Sequence, residues 1–258
     1  KRAVFEQLDT HCRADTVLAT NTSSLSVARL ADMVSHPERV IGLHFFYHPA
    51  KNRLVEVVPG AKSGDTALDK AWRFVEAIGK TPIHCLDHPG FIVNRFFVPW
   101  LNESCRLLEE GMDIASIEAG AKEGLGTAFG PFQLMNMTGI PIALHAQGTL
   151  HRELGELYTP SERLRAQVES GEQWAIEGDV NAEVAEKAAR RMNAIAFHVA
   201  LTLVDEGVGT MEDTDIGARV GLKWPTGPFE RTNKLGLASV KRDIDDLGQR
   251  YGVPVSPA

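Results

Sequence analysis

The chain repeats itself. Slid along its own length by about 97 residues, Leu107-Leu108-Glu109-Glu110-Gly111 meets Leu203-Val204-Asp205-Glu206-Gly207, Gly120-Ala121 meets Gly217-Ala218, and Gly124-Leu125 meets Gly221-Leu222. Gly130-Pro131-Phe132 then meets Gly227-Pro228-Phe229, and Gly139 meets Gly236, all with a single one-residue insertion. A repeat of this kind is a supersecondary unit that cannot bury its apolar face alone and so folds against its copy. Each copy reads as a helix ending in Glu-Gly, a short helix, a Gly-rich turn and a further helix. From residue 90 onward the chain is therefore expected to be all-helical.

Upstream of the repeat the pattern is different. Ala3 to His11 has helical spacing, Thr16 to Asn21 is a short apolar run ending in the polar cluster Thr22-Ser23-Ser24, and Ser26 to Val34 is again helical. Two apolar runs follow, Val40 to Phe46 and Leu54 to Val58, then a helix capped by Asp65 or Thr66 that ends at Gly79, and a last strand from Thr81 to Leu86. Helices alternating with buried strands imply an α/β sheet. Asp87-His88-Pro89-Gly90 is the hinge out of it. The expected architecture is α/β plus all-α: the C-terminal half of a Rossmann-type domain over 1–87, a first helical repeat over 88–180 and a second over 181–258.

With 27 Lys+Arg against 34 Asp+Glu and a net charge of −7, the chain offers no basic footprint for nucleic acid. No apolar stretch has the length of a membrane span, and the first residues carry no signal-peptide core. Cys12, Cys85 and Cys105 form no C-x-x-C pair or Cys/His array, so packed, reduced thiols, a cytoplasmic location and no metal site are expected. The stretch Gly124 to Gly130 resembles a phosphate loop only superficially. It follows a helix rather than a strand and lacks the G-x-G-x-x-G spacing, so it reads as a turn.

Two side chains stand out among the apolar strands. His44 lies near the end of one, and Glu56 lies inside Leu54-Val55-Glu56-Val57-Val58, where a carboxylate needs a partner. If residues 43–46 and 54–57 pair as a hairpin about the turn Tyr47 to Arg53, His44 falls opposite Glu56. A carboxylate beside an imidazole fixes its tautomer and stabilises the imidazolium, which suits a general base. A core histidine satisfied by a strand acid would look the same. The hydroxyls of Thr22, Ser23 and Ser24 stand at the carboxyl end of a strand, where open α/β sheets bind ligands, although a helix cap is the commoner use of such a cluster. Asn94 is polar at the start of an apolar helix and by itself signals little.

Together, Asn21-Thr22-Ser23-Ser24-Leu25, Gly42-Leu43-His44-Phe45-Phe46, Leu54-Val55-Glu56-Val57-Val58-Pro59-Gly60, Gly79-Lys80-Thr81-Pro82 and Pro89-Gly90-Phe91-Ile92-Val93-Asn94-Arg95 resemble the successive signature blocks of the L-3-hydroxyacyl-CoA dehydrogenase family. The resemblance runs over essentially the whole chain. It implies oxidation of a (3S)-3-hydroxyacyl-CoA to the 3-oxoacyl-CoA with NAD, as in fatty-acid β-oxidation. His44 would be the base, Glu56 its orienting acid, and Ser23 and Asn94 the groups holding the reacting oxygen. Lys1, Ser23 and Tyr47 fall at cofactor-contacting positions. The resemblance further implies an acyl-CoA thioester as partner and a homo-oligomer or multifunctional β-oxidation assembly, with the two helical copies mimicking a dimer internally.

Two departures from the family pattern stand out. Relatives read His-Phe-Phe-Asn-Pro where this chain has His44-Phe45-Phe46-Tyr47-His48-Pro49, so Tyr47 replaces an Asn beside the nicotinamide. No G-x-G-x-x-G follows a strand, and the βαβ half that cradles the pyrophosphate is expected to precede Lys1. These residues alone are accordingly expected to bind NAD weakly and to be inactive. In the second copy Arg190 stands where the first has Asn94, so that copy is read as a packing partner without chemistry. A hydroxy-acid dehydrogenase of the L-gulonate type would use a similar His/Glu pair, but Phe45-Phe46 favours the acyl-CoA reading. An oligomerisation or docking role is the reading from outside enzymology.

Overall fold

A computed structural model describes residues 1–23 and 26–252. Ser24, Leu25 and the tail from Val253 lie outside the described residues. The first part holds helix α1 (Arg2–His11), strand β1 (Leu18–Thr20), α2 (Val27–Ala31), β2 (Val40–Phe45), β3 (Leu54–Pro59), α3 (Asp65–Ala77) and β4 (Thr81–His84). The sheet order is β1-β2-β3-β4, with β1 parallel to β2, β2 antiparallel to β3 and β3 parallel to β4.

Period-two alternation gives this sheet two apolar faces. Ile41, Leu43, Val55 and Val57 pack against Ala71 and Val75 of α3. Val40, Leu54, Val58 and Ile83 belong instead to the large core shared with the helical part. His44 and Glu56 lie in phase with this second set, so their side chains point toward the helices. Gly42 is on the same face: a Cβ there would come within 2.9 Å of Val27 and of Val58, so α2 lies directly on the strand.

Two local expectations need correction. The helix expected over residues 26–34 stops at Ala31, with Met33 and Val34 donating to Leu30 and Ala31 in tighter turns. The following His36-Pro37 favours this early stop, because a residue before proline is pushed out of helical conformation. The cap of α3 is Gly64 rather than Asp65 or Thr66; Asp65 is the first helical residue, where its charge still favours the helix N-terminus.

The helical part runs α4 (Val93–Glu109), α5 (Ile114–Leu125), α6 (Pro131–Thr138), α7 (Ile140–Leu154) and α8 (Glu162–Ser170), then α9 (Ala182–Asp205), α10 (Met211–Ile216) with a π-helical turn Gly217–Gly221, α11 (Pro228–Leu235) and α12 (Leu237–Tyr251). The starts of α5, α6 and α7 recur 97 residues on as the starts of α10, α11 and α12.

The repeated Gly-Pro-Phe has a physical cause. In the first copy Glu118 accepts from the amides of Gly130 and Phe132 at 3.0 and 2.9 Å. In the second, Asp215 accepts from Phe229 and Glu230 at 2.9 and 3.0 Å. Each carboxylate thereby caps the next helix from outside it, using amides that no carbonyl of that helix can reach. The glycines make room: a Cβ on Gly130 would fall 2.4 Å from Glu118 and one on Gly227 would fall 2.1 Å from Asp215.

Cys85 and Cys105 are buried, and burial pushes the Cys105 thiol up to about 12. Such thiols are unreactive packing groups. Among the described residues no helix is long and apolar enough to cross a membrane.

Candidate active site

The antiparallel register places His44 directly opposite Glu56 and Phe45 opposite Val55. Both polar residues are buried, His44 at 4% exposure and Glu56 at 0%. His44 Nδ1 lies 2.6 Å from Glu56 Oε2. An ionised carboxylate only accepts, so the ring proton sits on Nδ1 and donates to Glu56. Nε2 is left with a lone pair, and Ser23 Oγ stands 2.9 Å from it as the donor. The Phe46 ring meets the imidazole at 4.7 Å between centroids and the Phe91 ring at 5.5 Å, so two apolar rings flank it.

The other oxygen of Glu56 is held by the helical part. Oε1 accepts from the amides of Ile92 at 3.1 Å and Val93 at 2.9 Å. These are N–H groups at the free N-terminus of α4, which the helix itself cannot satisfy and which favour a negative partner. They are aimed by a reversal of the chain: Gly90 has φ +79° and Phe91 φ +53°, both left-handed. A Cβ at Gly90 would collide with Leu150 at 2.8 Å, so the turn is wedged against α7. The negative charge of Glu56 is felt nearby: burial first, then this carboxylate, pushes the Cys85 thiol well above its ordinary range.

These amides are the functional groups that sequence reasoning missed. The available signal was Pro89-Gly90 just ahead of an apolar helix, which announces unsatisfied amides in the same chain that holds an unpartnered strand acid. Asn21 enters the sequence reading only as part of the Asn21-Thr22-Ser23-Ser24-Leu25 block. Its Oδ1 accepts from Phe45 N at 2.9 Å and so ties the end of β1 to the end of β2 beside His44.

The remaining expected residues are less closely gathered. Asn94 is half-buried on the first turn of α4, next to Val93, and among the described residues it bonds to neither His44 nor Ser23. Lys1 reaches the same loop, its Nζ 3.4 Å from the carbonyl of Asn21. Tyr47 is 73% exposed on the turn after β2 and stands apart from the His44 cluster. Ser23 and Phe91 line a cleft with Arg29, His88, Thr149 and Glu153, beside α7.

The carboxyl ends of β1 and β2, with Ser23 and the buried imidazole of His44, fit the reactive end of a nicotinamide nucleotide. The pyrophosphate end is not served here: among the described residues no strand leads through a Gly-rich loop into a helix, and Gly124 to Gly130 connects α5 to α6.

Residues 1–88 match the family model for the NAD binding domain of 3-hydroxyacyl-CoA dehydrogenase, and residues 90–179 and 188–258 match its C-terminal domain. The alpha subunit of the fatty acid oxidation complex of Shewanella halifaxensis is 30% identical, over 100% of this chain and 40% of that protein. The chain thus spans about two-fifths of that curated relative. The solved (S)-3-hydroxybutyryl-CoA dehydrogenase of Ralstonia eutropha is 32% identical with a TM-score of 0.65, over 69% of this chain and 64% of that one. The 3-hydroxybutyryl-CoA dehydrogenase of Escherichia coli shares the fold at a TM-score of 0.87 and 23% identity, over 97% of this chain and 75% of that one. On both the site and these matches, the chain belongs to the 3-hydroxyacyl-CoA dehydrogenase family, whose cofactor is NAD.

Proposed function

We infer that the protein oxidises the C3 hydroxyl of a (3S)-3-hydroxyacyl-CoA to the ketone, in fatty-acid β-oxidation in the cytoplasm. The observation that carries this reading is the continuous chain from Ser23 through His44 to Glu56 and on to two backbone amides. His44 Nε2, the end of the imidazole not committed to Glu56, takes the hydroxyl proton. Glu56, already fixed by the Ile92 and Val93 amides, stabilises the imidazolium without having to reorient, which is the preorganisation that makes such charge stabilisation effective. Ser23 and Asn94 hold the reacting oxygen, and Lys1 and Tyr47 stand on the cofactor side. NAD, when bound, accepts the hydride from C3.

On this reading residues 1–87 are the catalytic half of the nucleotide domain, and residues 88–180 and 181–258 are two helical repeats. The pyrophosphate cradle comes from outside these residues, within a larger β-oxidation assembly. The test has two parts. Calorimetry of NADH with these residues alone should give weak or no binding, whereas the protein with a complete nucleotide domain should reduce NAD at 340 nm with (3S)-3-hydroxybutyryl-CoA. Tight NADH binding by this chain alone overturns the division of labour, and no reduction by the complete protein overturns the function.

A further inference from the structure

We propose that Arg95 is a positioning residue through which the second helical repeat, itself without chemistry, holds the base pair His44–Glu56 in working order; this rests on the reading of the site given above.

The amides that fix Glu56 belong to a linker braced on the far end of α9. Leu86 N donates to Val208 O at 2.9 Å. Ile92 packs so closely on Gly209 that a Cβ there would come within 2.4 Å of it. Arg95, three residues from Ile92 on α4, completes the brace. Its guanidinium is 1% exposed and donates through one nitrogen to His88 Nδ1 on the linker and through the other to Glu206 at the end of α9. The buried Tyr158 phenol lies against the same guanidinium. A buried arginine is held in place only while its partners stay put, and a planar fork fixes two partners at once where a lysine fixes one.

The other repeat makes the point by symmetry. Ninety-six residues after Arg95 stands Arg191, and ninety-six before Glu206 stands Glu110; Arg191 pairs with Glu110 at 3.1 Å. The two repeats therefore exchange the same arginine–glutamate contact, as the two halves of a two-fold interface do. Beyond that shared contact Arg191 turns to Glu103 and Tyr251, whereas among the described residues Arg95 is the copy that grips a linker whose amides reach Glu56. The contact common to both copies is packing; the His88 arm is what the active half adds.

His88 accepts from Arg95, so it must be neutral at Nδ1. The charged and titratable groups facing it are Arg95 from α4, Glu206 from the end of α9, Asp87 from the linker, Glu153 from α7 and Arg29 from α2. Burial and the neighbouring guanidinium hold the His88 pKa below the usual histidine range, which keeps the acceptor available at neutral pH.

The test is made in the protein with its complete nucleotide domain. Arg95→Met keeps the volume and leaves no buried charge. It should lower kcat by about 10- to 100-fold, the scale of a sub-ångström to ångström misplacement, with KM for both substrates within about threefold. Arg95→Lys should fall between it and the parent. On these residues alone, the His44 Nδ1 proton should resonate far downfield in the parent and shift upfield or broaden in Arg95→Met. Should Arg95→Met not fold, Glu206→Gln carries the test with the same expected signs. An unchanged kcat and an unchanged His44 proton in a folded variant overturn the proposal. An inactive parent with that proton in place overturns the functional reading instead.

Discussion

The two helical repeats have the same parts, yet among the described residues only the first holds Glu56, and the difference lies in where their first helices begin. α4 starts at Val93, so the amides of Ile92 and Val93 are free and bind Glu56. α9 starts at Ala182, capped by Asn181, and the positions equivalent to Ile92 and Val93 lie well inside it. There the amides are spent on the helix's own carbonyls. A free helix N-terminus can hold a carboxylate, whereas an interior turn cannot, however similar the residues. The second copy also carries exposed Arg190 where the first has Asn94. Gly120 of the first copy lies on Ala185 of α9, while its counterpart Gly217 lies on Val93 and Ile83, beside the sheet. Each copy is packed onto its twin, and the second also reaches β4 of the sheet.

The comparison can be broken most decisively at the chemistry. In the complete protein, His44→Ala should reduce kcat about 10²- to 10⁴-fold, the usual worth of a general base, while Arg190→Ala in the second copy should leave it unchanged. Steady-state NADH formation reads both, and a comparable loss in the two variants would mean that the second repeat has chemistry of its own.

A smaller effect tests what the copies share. Glu118→Ala and Asp215→Ala each strip two amides of their acceptor, so each should cost about 1–2 kcal/mol in urea unfolding. If only Glu118 matters, the cap is not a property of the repeat.

The smallest effect is a pH dependence. Burial pushes the Glu118 and Asp215 carboxyls above the ordinary carboxylate range, against the amides that pull them down. A raised folded pKa means that the associated stability is fully present below the unfolded value, about 4.3 for a glutamate, and is lost as pH rises through the folded value. The stability of the parent relative to Glu118→Gln should therefore decline as pH rises above the unfolded value of about 4.3. A flat difference in urea midpoints would show that Glu118 titrates normally.

Much of this protein is legible in one dimension because its rules are local. Alternation of period two put His44 and Glu56 on one face, and the eight-residue connection between the strands set the register that brings them together. The repeated glycines likewise announced the repeated helices, because a carboxylate one helix away forbids a side chain at Gly130 and Gly227.

What the sequence left undetermined is everything that couples distant segments. Nothing in the order of residues says that Glu56 is held by amides 36 and 37 positions away, or that Arg95 reaches Glu206 across 111 positions. Nor does it say that Tyr47 turns outward while Asn21 reaches in. Those facts follow from a left-handed reversal wedged by α7 and a linker braced by α9, and such contacts exist only once the helices have packed.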